Sequence, residues 1–316
     1  MIVHCCLVTG GAGFIGSHLV DHLMGLKARV KVIDNLSTGN IKNLERWLGN
    51  PAFEFVKGDL LNSEELKNAA REVDTIFHIA ANPEVRVELA DPSVHFKQSV
   101  VATFNVLEAA RCSSEVRSLA FSSSSTVYGD ASFLPTPESC PPNPISIYGA
   151  SKLASEALIA GFASTYEFKA SIFRLANVVG PRCQHGAIHD FIRKLRKNPA
   201  ELEVLGDGTQ SKSYLYVEDC VEGILAGLGS EEKVSIFNLG SDDKIGVKAI
   251  AQLVTEEMEL KDTRIRFTGG IDGGRGWRGD VKFMMLDNAK LKRTGWKAKY
   301  NSLEAVRETI RSLLNK

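Results

Sequence analysis

The feature that most constrains this chain is Thr9-Gly10-Gly11-Ala12-Gly13-Phe14-Ile15-Gly16. It follows a short apolar run, Ile2–Thr9, and opens a segment, Phe14–Leu26, whose apolar residues recur at helical spacing. A run that short and that apolar suits a strand buried on both faces. Between a strand and a helix, the G-x-x-G-x-x-G frame has a physical reading. Gly10 permits the tight turn, Gly13 lets backbone approach a pyrophosphate, and Gly16 lets the helix lie close on the strand. The helix N-terminus around Phe14 and Ile15 then offers unpaired N–H groups and a positive dipole end to phosphates.

The spacing predicts strands at Val30–Asp34, Phe53–Val56, Thr75–Ile79, Ser118–Ser122 and Ala170–Leu175, with helices at Val100–Ala110 and Ser146–Tyr166. Such alternation implies a parallel sheet covered by helices on both faces. The expected fold is therefore α/β, a Rossmann-like doubly wound parallel sheet with a smaller α/β C-terminal substrate domain. The division is placed at 1–176 and 177–316, with a segment near 213–240 returning to the first domain. In the last third, helices are expected at Ala187–Lys197, Val217–Leu228, Val247–Met258 and Ser302–Leu314. Short strands are expected at Glu203–Leu205, Ser213–Tyr216, Ile236–Leu239 and Ile265–Phe267. Gly269–Gly279 holds six glycines and is expected to be a loop.

Composition narrows the function classes. With 316 residues, such a chain buries roughly three quarters of its unfolded surface and needs neither disulfides nor metal to fold. Thirty-eight basic residues balance 38 acidic ones, so neither a nucleic-acid footprint nor attraction to an anionic membrane is expected. No apolar run reaches the ~18 residues of a membrane-spanning helix. No signal peptide is expected, and the setting is expected to be cytoplasmic. Six cysteines without C-x-x-C spacing are then expected as free thiols. Cys5 and Cys6 should point to opposite faces of their strand. His18/His22 and His185/His189 are i, i+4 pairs without a third ligand in register, so no metal is expected.

Asp34 ends the second predicted strand, 18 residues past Gly16. An acid there meets adenosine ribose hydroxyls and repels a 2′-phosphate, so NAD is expected rather than NADP. Asn35, Ser37, Thr38 and Gly39 follow it. Asp59-Leu60 and Ala80-Ala81 sit just past the third and fourth strands, at carboxyl ends where ligands lie in open α/β sheets. Tyr148 and Lys152 are i and i+4 at the start of a long helix. A neighbouring ammonium favours phenolate and lowers the tyrosine pKa. Tyr148 is thus expected to act as a base on a sugar hydroxyl near neutral pH. Ser122–Ser125 places hydroxyls at the end of the fifth strand, facing that helix.

These segments, with Arg174–Arg182 and Gly206–Asp219, resemble the extended short-chain dehydrogenase/reductases. Within them the chain is similar to the NAD-dependent epimerase/dehydratase family and to its UDP-galactose 4-epimerases. The resemblance runs from residue 2 to the final helix. It implies that Ser124 hydrogen-bonds the sugar 4-oxygen and relays its proton, that Tyr148 is the base, and that Lys152 holds the nicotinamide ribose. Dehydratases of the family place Asp-Glu after the catalytic Thr, where this chain has Ser125 and Thr126, and family decarboxylases carry Glu at Thr126. The resemblance therefore implies C4 epimerisation of a UDP-hexose, UDP-galactose or UDP-glucose, through a transient 4-keto sugar. The alternatives are a C4 epimerase of a UDP-uronic acid or UDP-N-acetylhexosamine, and a non-catalytic NAD-binding sensor.

On the substrate side the resemblance implies that Asn177, Lys212 and Asp280 contact the sugar nucleotide. The family arginine of the phosphate loop falls at Trp277, so Arg275 and Arg278, on either side of it, are both candidates. Met284 matches a position that limits entry of N-acetyl sugars. Ser99 stands where relatives carry Asn beside the nicotinamide. The family's pairing through the Val100–Ala110 and Ser146–Tyr166 helices implies a homodimer.

Overall fold

The computed structural model describes residues 4–315, apart from the side chains of Val87 and Leu89. Seven strands build its main sheet: β1 (Cys5–Thr9), β2 (Arg29–Asp34), β3 (Phe53–Lys57), β4 (Thr75–His78), β5 (Ser118–Ser124), β6 (Lys169–Leu175) and β7 (Val234–Leu239). All pair in parallel, in the order β7-β6-β5-β4-β1-β2-β3. The fold is thus the expected doubly wound α/β sheet. The first predicted strand is shorter than Ile2–Thr9, and its residues 2 and 3 lie outside those described. β5 runs two residues further than expected, carrying Ser123 and Ser124 within the strand.

Helices α1 (Phe14–Gly25), α2 (Ser63–Ala69), α3 (Ala102–Cys112), α4 (Ile147–Thr165) and α6 (Val217–Gly227) accompany the sheet. α5 (Gly186–Lys197), α7 (Val247–Glu257) and α8 (Ser302–Leu314) enclose a separate apolar core of Ile188, Phe191, Leu202, Ile250, Val254, Val306 and Ile310. Small strand pairs, Glu201–Val204 with Arg264–Phe267 and Asn177–Val179 with Tyr214–Tyr216, complete that part. None of the described helices is long and apolar enough to cross a membrane.

Local chemistry sets the helix starts. The Ser146 hydroxyl accepts the Gly149 N–H and caps α4. Asn301 and Glu304 form a reciprocal capping box on α8. The helix predicted from Val100 begins irregularly, because Phe96–Val101 winds with i→i+5 hydrogen bonding before α3 starts. Such widened turns cluster at functional sites. Among the described residues no cysteine is in a disulfide. Cys5 and Cys6 do face opposite sides, one in each of the two cores flanking the sheet.

Between the layers runs a polar chain that sequence reading missed. The fully buried His78 bonds Thr9 Oγ1 at 2.9 Å and Thr103 Oγ1 at 3.0 Å, and Thr103 donates to Ser155 at 3.2 Å. Burial, with the Lys152 charge, pushes His78 down to about 3. Burial also lowers His18, His95 and His185. Unfolded histidine titrates near ~6.5, so the unfolded chain binds protons below that pH which the native chain refuses. Stability therefore falls as pH drops from about 6.5 toward 3, by at most about 1.4 kcal/mol per pH unit for His78. The urea midpoint should fall between pH 7 and pH 5, and less steeply in His78→Gln. An equal slope in the variant would show that His78 does not contribute.

Candidate active site

Strand order reverses between β4 and β1, and the loops leaving their carboxyl ends diverge there. A cleft of about 910 Å³ opens at that point, between the sheet and the α5–α7–α8 part. It is lined by every cofactor residue predicted from sequence except Gly39: Gly10, Gly13, Phe14, Ile15, Gly16, Asp34, Asn35, Ser37, Thr38, Asp59, Leu60, Ala80, Ala81, Tyr148 and Lys152. Gly39 instead packs behind Asp34, where a Cβ would sit 3.0 Å from both carboxylate oxygens.

The glycine loop is a turn that side chains would fill. Gly10 has φ +70°, and a Cβ there would lie 2.7 Å from the Ala80 Cα. A Cβ on Gly16 would overlap the Gly10 carbonyl, so the first turn of α1 can close on the loop only as glycine. Asp34 Oδ2 accepts the Ala12 N–H at 3.0 Å and Oδ1 accepts the Leu36 N–H at 2.8 Å. Burial raises its pKa while those two N–H bonds oppose the rise. Asn35 donates to Asp59 at 3.0 Å, joining the ends of β2 and β3. Asn43, unremarked in the sequence, donates to the Ala12 carbonyl and also lines the cleft.

Ser124, Tyr148 and Lys152 come together where β5 ends against the first turns of α4. Lys152 is buried and donates to the Ser122 carbonyl at 2.8 Å, with its Nζ 6.0 Å from the Tyr148 ring centroid. Ser124 Oγ accepts from Thr126 Oγ1 at 2.9 Å and from the Thr126 N–H at 3.2 Å. Both acceptor positions are thereby used, which leaves the Ser124 hydroxyl hydrogen for the Tyr148 side. The expected lowering of the tyrosine pKa is corrected here. Burial pushes Tyr148 up to about 12, although a hydrogen bond with Ser124 pulls the other way. Burial also lowers Lys152 to about 8, against the favourable Glu156 charge. At this spacing, desolvation outweighs the mutual effect of the pair.

The substrate-side residues divide. Asn177 lines the cleft and bonds the buried Tyr214 side chain. Lys212 and Asp280 also line it but hold each other, Nζ to Oδ1 at 2.7 Å, and Asp280 Oδ2 accepts the Gly276 N–H. Arg275 and Arg278 are not among the lining residues. Arg275 bonds Asp130 at 2.7 Å and the Asp280 carbonyl, while Arg278 is 79% exposed near Asp272. Met284 lines the cleft. Ser99 does not, and its buried hydroxyl meets no partner among the described residues.

Arg86 also lines the cleft without having been singled out from sequence, while Trp277, Arg182 and Gln210 of the lining lie in segments that carried the resemblance. The position of Arg86 in the loop after β4, at the switch point, was the signal available. Glu88 and His95 both contact Tyr148. Glu88 accepts the Tyr148 N–H at 2.8 Å, and the His95 ring meets the Tyr148 ring edge-on at 5.2 Å.

Comparison with known proteins agrees with this geometry. Residues 6–240 match the model of the NAD dependent epimerase/dehydratase family. The UDP-glucose 4-epimerase of Mycolicibacterium smegmatis is 31% identical over 322 residues, covering 98% of each chain. A crystal structure of a UDP-galactose 4-epimerase superposes with a TM-score of 0.87 at 46% identity, covering 98% of this chain and 99% of that one. The UDP-glucuronic acid 4-epimerase of Bacillus cereus, solved with UDP-glucuronic acid and NAD, superposes with a TM-score of 0.88 at 26% identity, covering 98% and 99%. The chain belongs to the NAD-dependent epimerase/dehydratase family. It is an isomerase of the UDP-sugar 4-epimerase kind, and its cofactor is NAD.

The glycine turn yields a test of cofactor retention. Gly10→Ala adds strain at positive φ and a collision with the Ala80 backbone. The purified variant should carry at least tenfold less NAD after gel filtration, as measured by nucleotide release on acid denaturation, with its circular dichroism unchanged. Full NAD content would refute the role given to this turn.

Proposed function

We propose that this enzyme inverts C4 of a UDP-hexose, interconverting UDP-galactose and UDP-glucose. One observation carries the reading. Ser124, Tyr148 and Lys152 converge in the cleft while the next two positions, Ser125 and Thr126, bear only hydroxyls. A hydroxyl relay and a phenol base suffice for removing and returning one proton at O4. Elimination of water across C5 and C6 needs additional acid–base groups, and hydroxyls at neutral pH do not supply them.

The residues fit NAD: the Gly10–Gly16 turn would hold the pyrophosphate, Asp34 the adenosine ribose and Lys152 the nicotinamide ribose. Bound NAD supplies the hydride acceptor for C4, and the same hydride on its return. Tyr148 takes the O4 proton with Ser124 as relay: the sugar hydroxyl replaces Thr126 Oγ1 as a donor to Ser124 Oγ, while the Ser124 hydrogen passes to the phenolate. Lys152, fixed on the Ser122 carbonyl, stabilises the phenolate. The keto sugar turns about its diphosphate link before the proton and hydride return on the other face. Firm binding of the nucleotide with a loose sugar assigns affinity to the diphosphate end of the cleft.

Exposed Phe96, Phe104 and Tyr166 on and around α3 and α4 support pairing of two copies through these helices. Six cysteines with no disulfide among the described residues support a cytoplasmic setting.

Purified enzyme with UDP-galactose and no added cofactor should yield UDP-glucose, seen by proton NMR. Tyr148→Phe should lower kcat at least 1000-fold while leaving NAD content unchanged. Conversion of UDP-galacturonic acid or an N-acetyl sugar, but not of UDP-galactose, would overturn the hexose assignment. Full turnover by the phenylalanine variant would overturn the mechanism.

A further inference from the structure

We propose that Arg86 and Trp277 complete the diphosphate cradle of this enzyme together with Lys212, Arg86 exchanging Glu84 for phosphate when the nucleotide sugar enters. The proposal rests on the UDP-sugar reading above. Its starting point is the state of the cleft's cations. Lys212 spends one of its three donors, and much of its charge, on the buried Asp280 carboxylate. Arg275 is turned to Asp130, and Arg278 stands outside the cleft. Arg182 is held by Asp21 at 2.8 Å with both side chains mostly covered, and Arg193 by Asp190. A diphosphate entering this cleft therefore needs a guanidinium that can be released at little cost.

Arg86 meets that requirement. Its partner Glu84 lies two residues away on the same loop, and both side chains are 47% exposed. A pair so placed holds its members weakly. A diphosphate offers more charge and the same bidentate geometry as the carboxylate it would replace.

Trp277 fixes where the exchange happens. The Arg86 Cζ lies 5.9 Å from the centroid of its ring and the Lys212 Nζ 5.7 Å from it, so two cations from separate loops converge on one aromatic platform. All three side chains line the cleft. The Trp277 indole N–H is buried and meets no acceptor among the described residues. A buried N–H without an acceptor is a cost that an incoming phosphate oxygen would remove. The indole thus supplies the third donor. It also joins the loop after β4 to the glycine-rich Gly269–Gly279 loop across the mouth of the cleft.

The test is titration of NAD-loaded enzyme with UDP and, in parallel, with uridine, followed by calorimetry and by tryptophan fluorescence. The other two tryptophans already have acceptors, Trp47 on Asp21 and Trp296 on the Asp219 carbonyl. UDP should change the fluorescence of the wild type, and Trp277→Phe should abolish the change. Arg86→Gln should weaken UDP at least tenfold and leave uridine within twofold. Arg86→Lys should recover part of the loss, and NAD content should stay equal throughout. For UDP-sugar turnover, KM should rise while kcat stays within threefold. UDP affinity within twofold of wild type in Arg86→Gln would overturn the proposal, and so would equal weakening of UDP and uridine. If the wild type bound another nucleoside diphosphate in place of UDP, the uridine reading would fall, and the same comparison with that nucleotide would decide the cradle.

Discussion

The catalytic geometry depends on one buried ion pair. Arg174 on β6 donates through Nε and a terminal nitrogen to Glu156 on α4, at 2.7 to 3.2 Å, and the Ser123 hydroxyl on β5 donates to the same carboxylate. One turn earlier on α4, Lys152 donates to the Ser122 carbonyl. Two successive turns of the helix are thereby pinned to two neighbouring strands, and Tyr148, one turn earlier still, is placed at the end of β5. A slide of the helix by one residue would leave a buried carboxylate and guanidinium unmatched, which costs roughly 3–5 kcal/mol when one partner is lost. The pair also reaches outward. The Arg174 guanidinium stacks on Tyr128 at 4.7 Å, and the Tyr128 hydroxyl donates to Asn238 on β7.

What could be read from the sequence follows this division between local and long-range determinants. The βα alternation, the glycine turn, Asp34 and the Tyr148–Lys152 pair lie in short segments whose residues act on their own neighbours. Each was legible because period, turn chemistry and i, i+4 spacing are local. Arg174 and Glu156 are 18 residues apart, and His78, Thr9 and Thr103 span three segments; no local pattern marks such partners. The substrate side was least legible. Lys212 and Asp280 each point to ligand by resemblance, yet the fold brings them onto each other across a sequence separation of 68. Arg275 and Arg278 sit in a loop with positive φ at Gly270, Gly273, Gly274 and Gly279, and its folding, not its sequence order, decides which side chains face the cleft.

Burial explains the other departure. Treated as a pair on a helix, tyrosine and lysine should favour each other's charged forms. Enclosed together, each loses hydration, and the chain's own groups leave Tyr148 near 12 and Lys152 near 8. Both shifts favour the neutral forms at the moment when no proton is being moved. In the proposed mechanism a neutral phenol rests beside the ammonium, and the positive charge of bound NAD with a substrate hydroxyl would favour its ionisation. Such separation of pKa values by environment is the general way one cleft runs proton transfer near neutral pH.

The same economy appears in how the cofactor loop is tied to the rest of the molecule. The Pro181 carbonyl bonds His18 Nε2 at 3.0 Å, Arg182 bonds Asp21 at 2.8 Å, and the His185 ring meets Phe14 edge-on at 6.3 Å. Three contacts from one segment thus clasp the face of α1 whose N-terminus ends the glycine turn. Asp21 also accepts the Trp47 indole N–H at 2.7 Å, which brings the segment after β2 into the same cluster. These contacts fix the direction in which the α1 N-terminus faces the cleft, and so the place of the N–H groups that would meet the pyrophosphate.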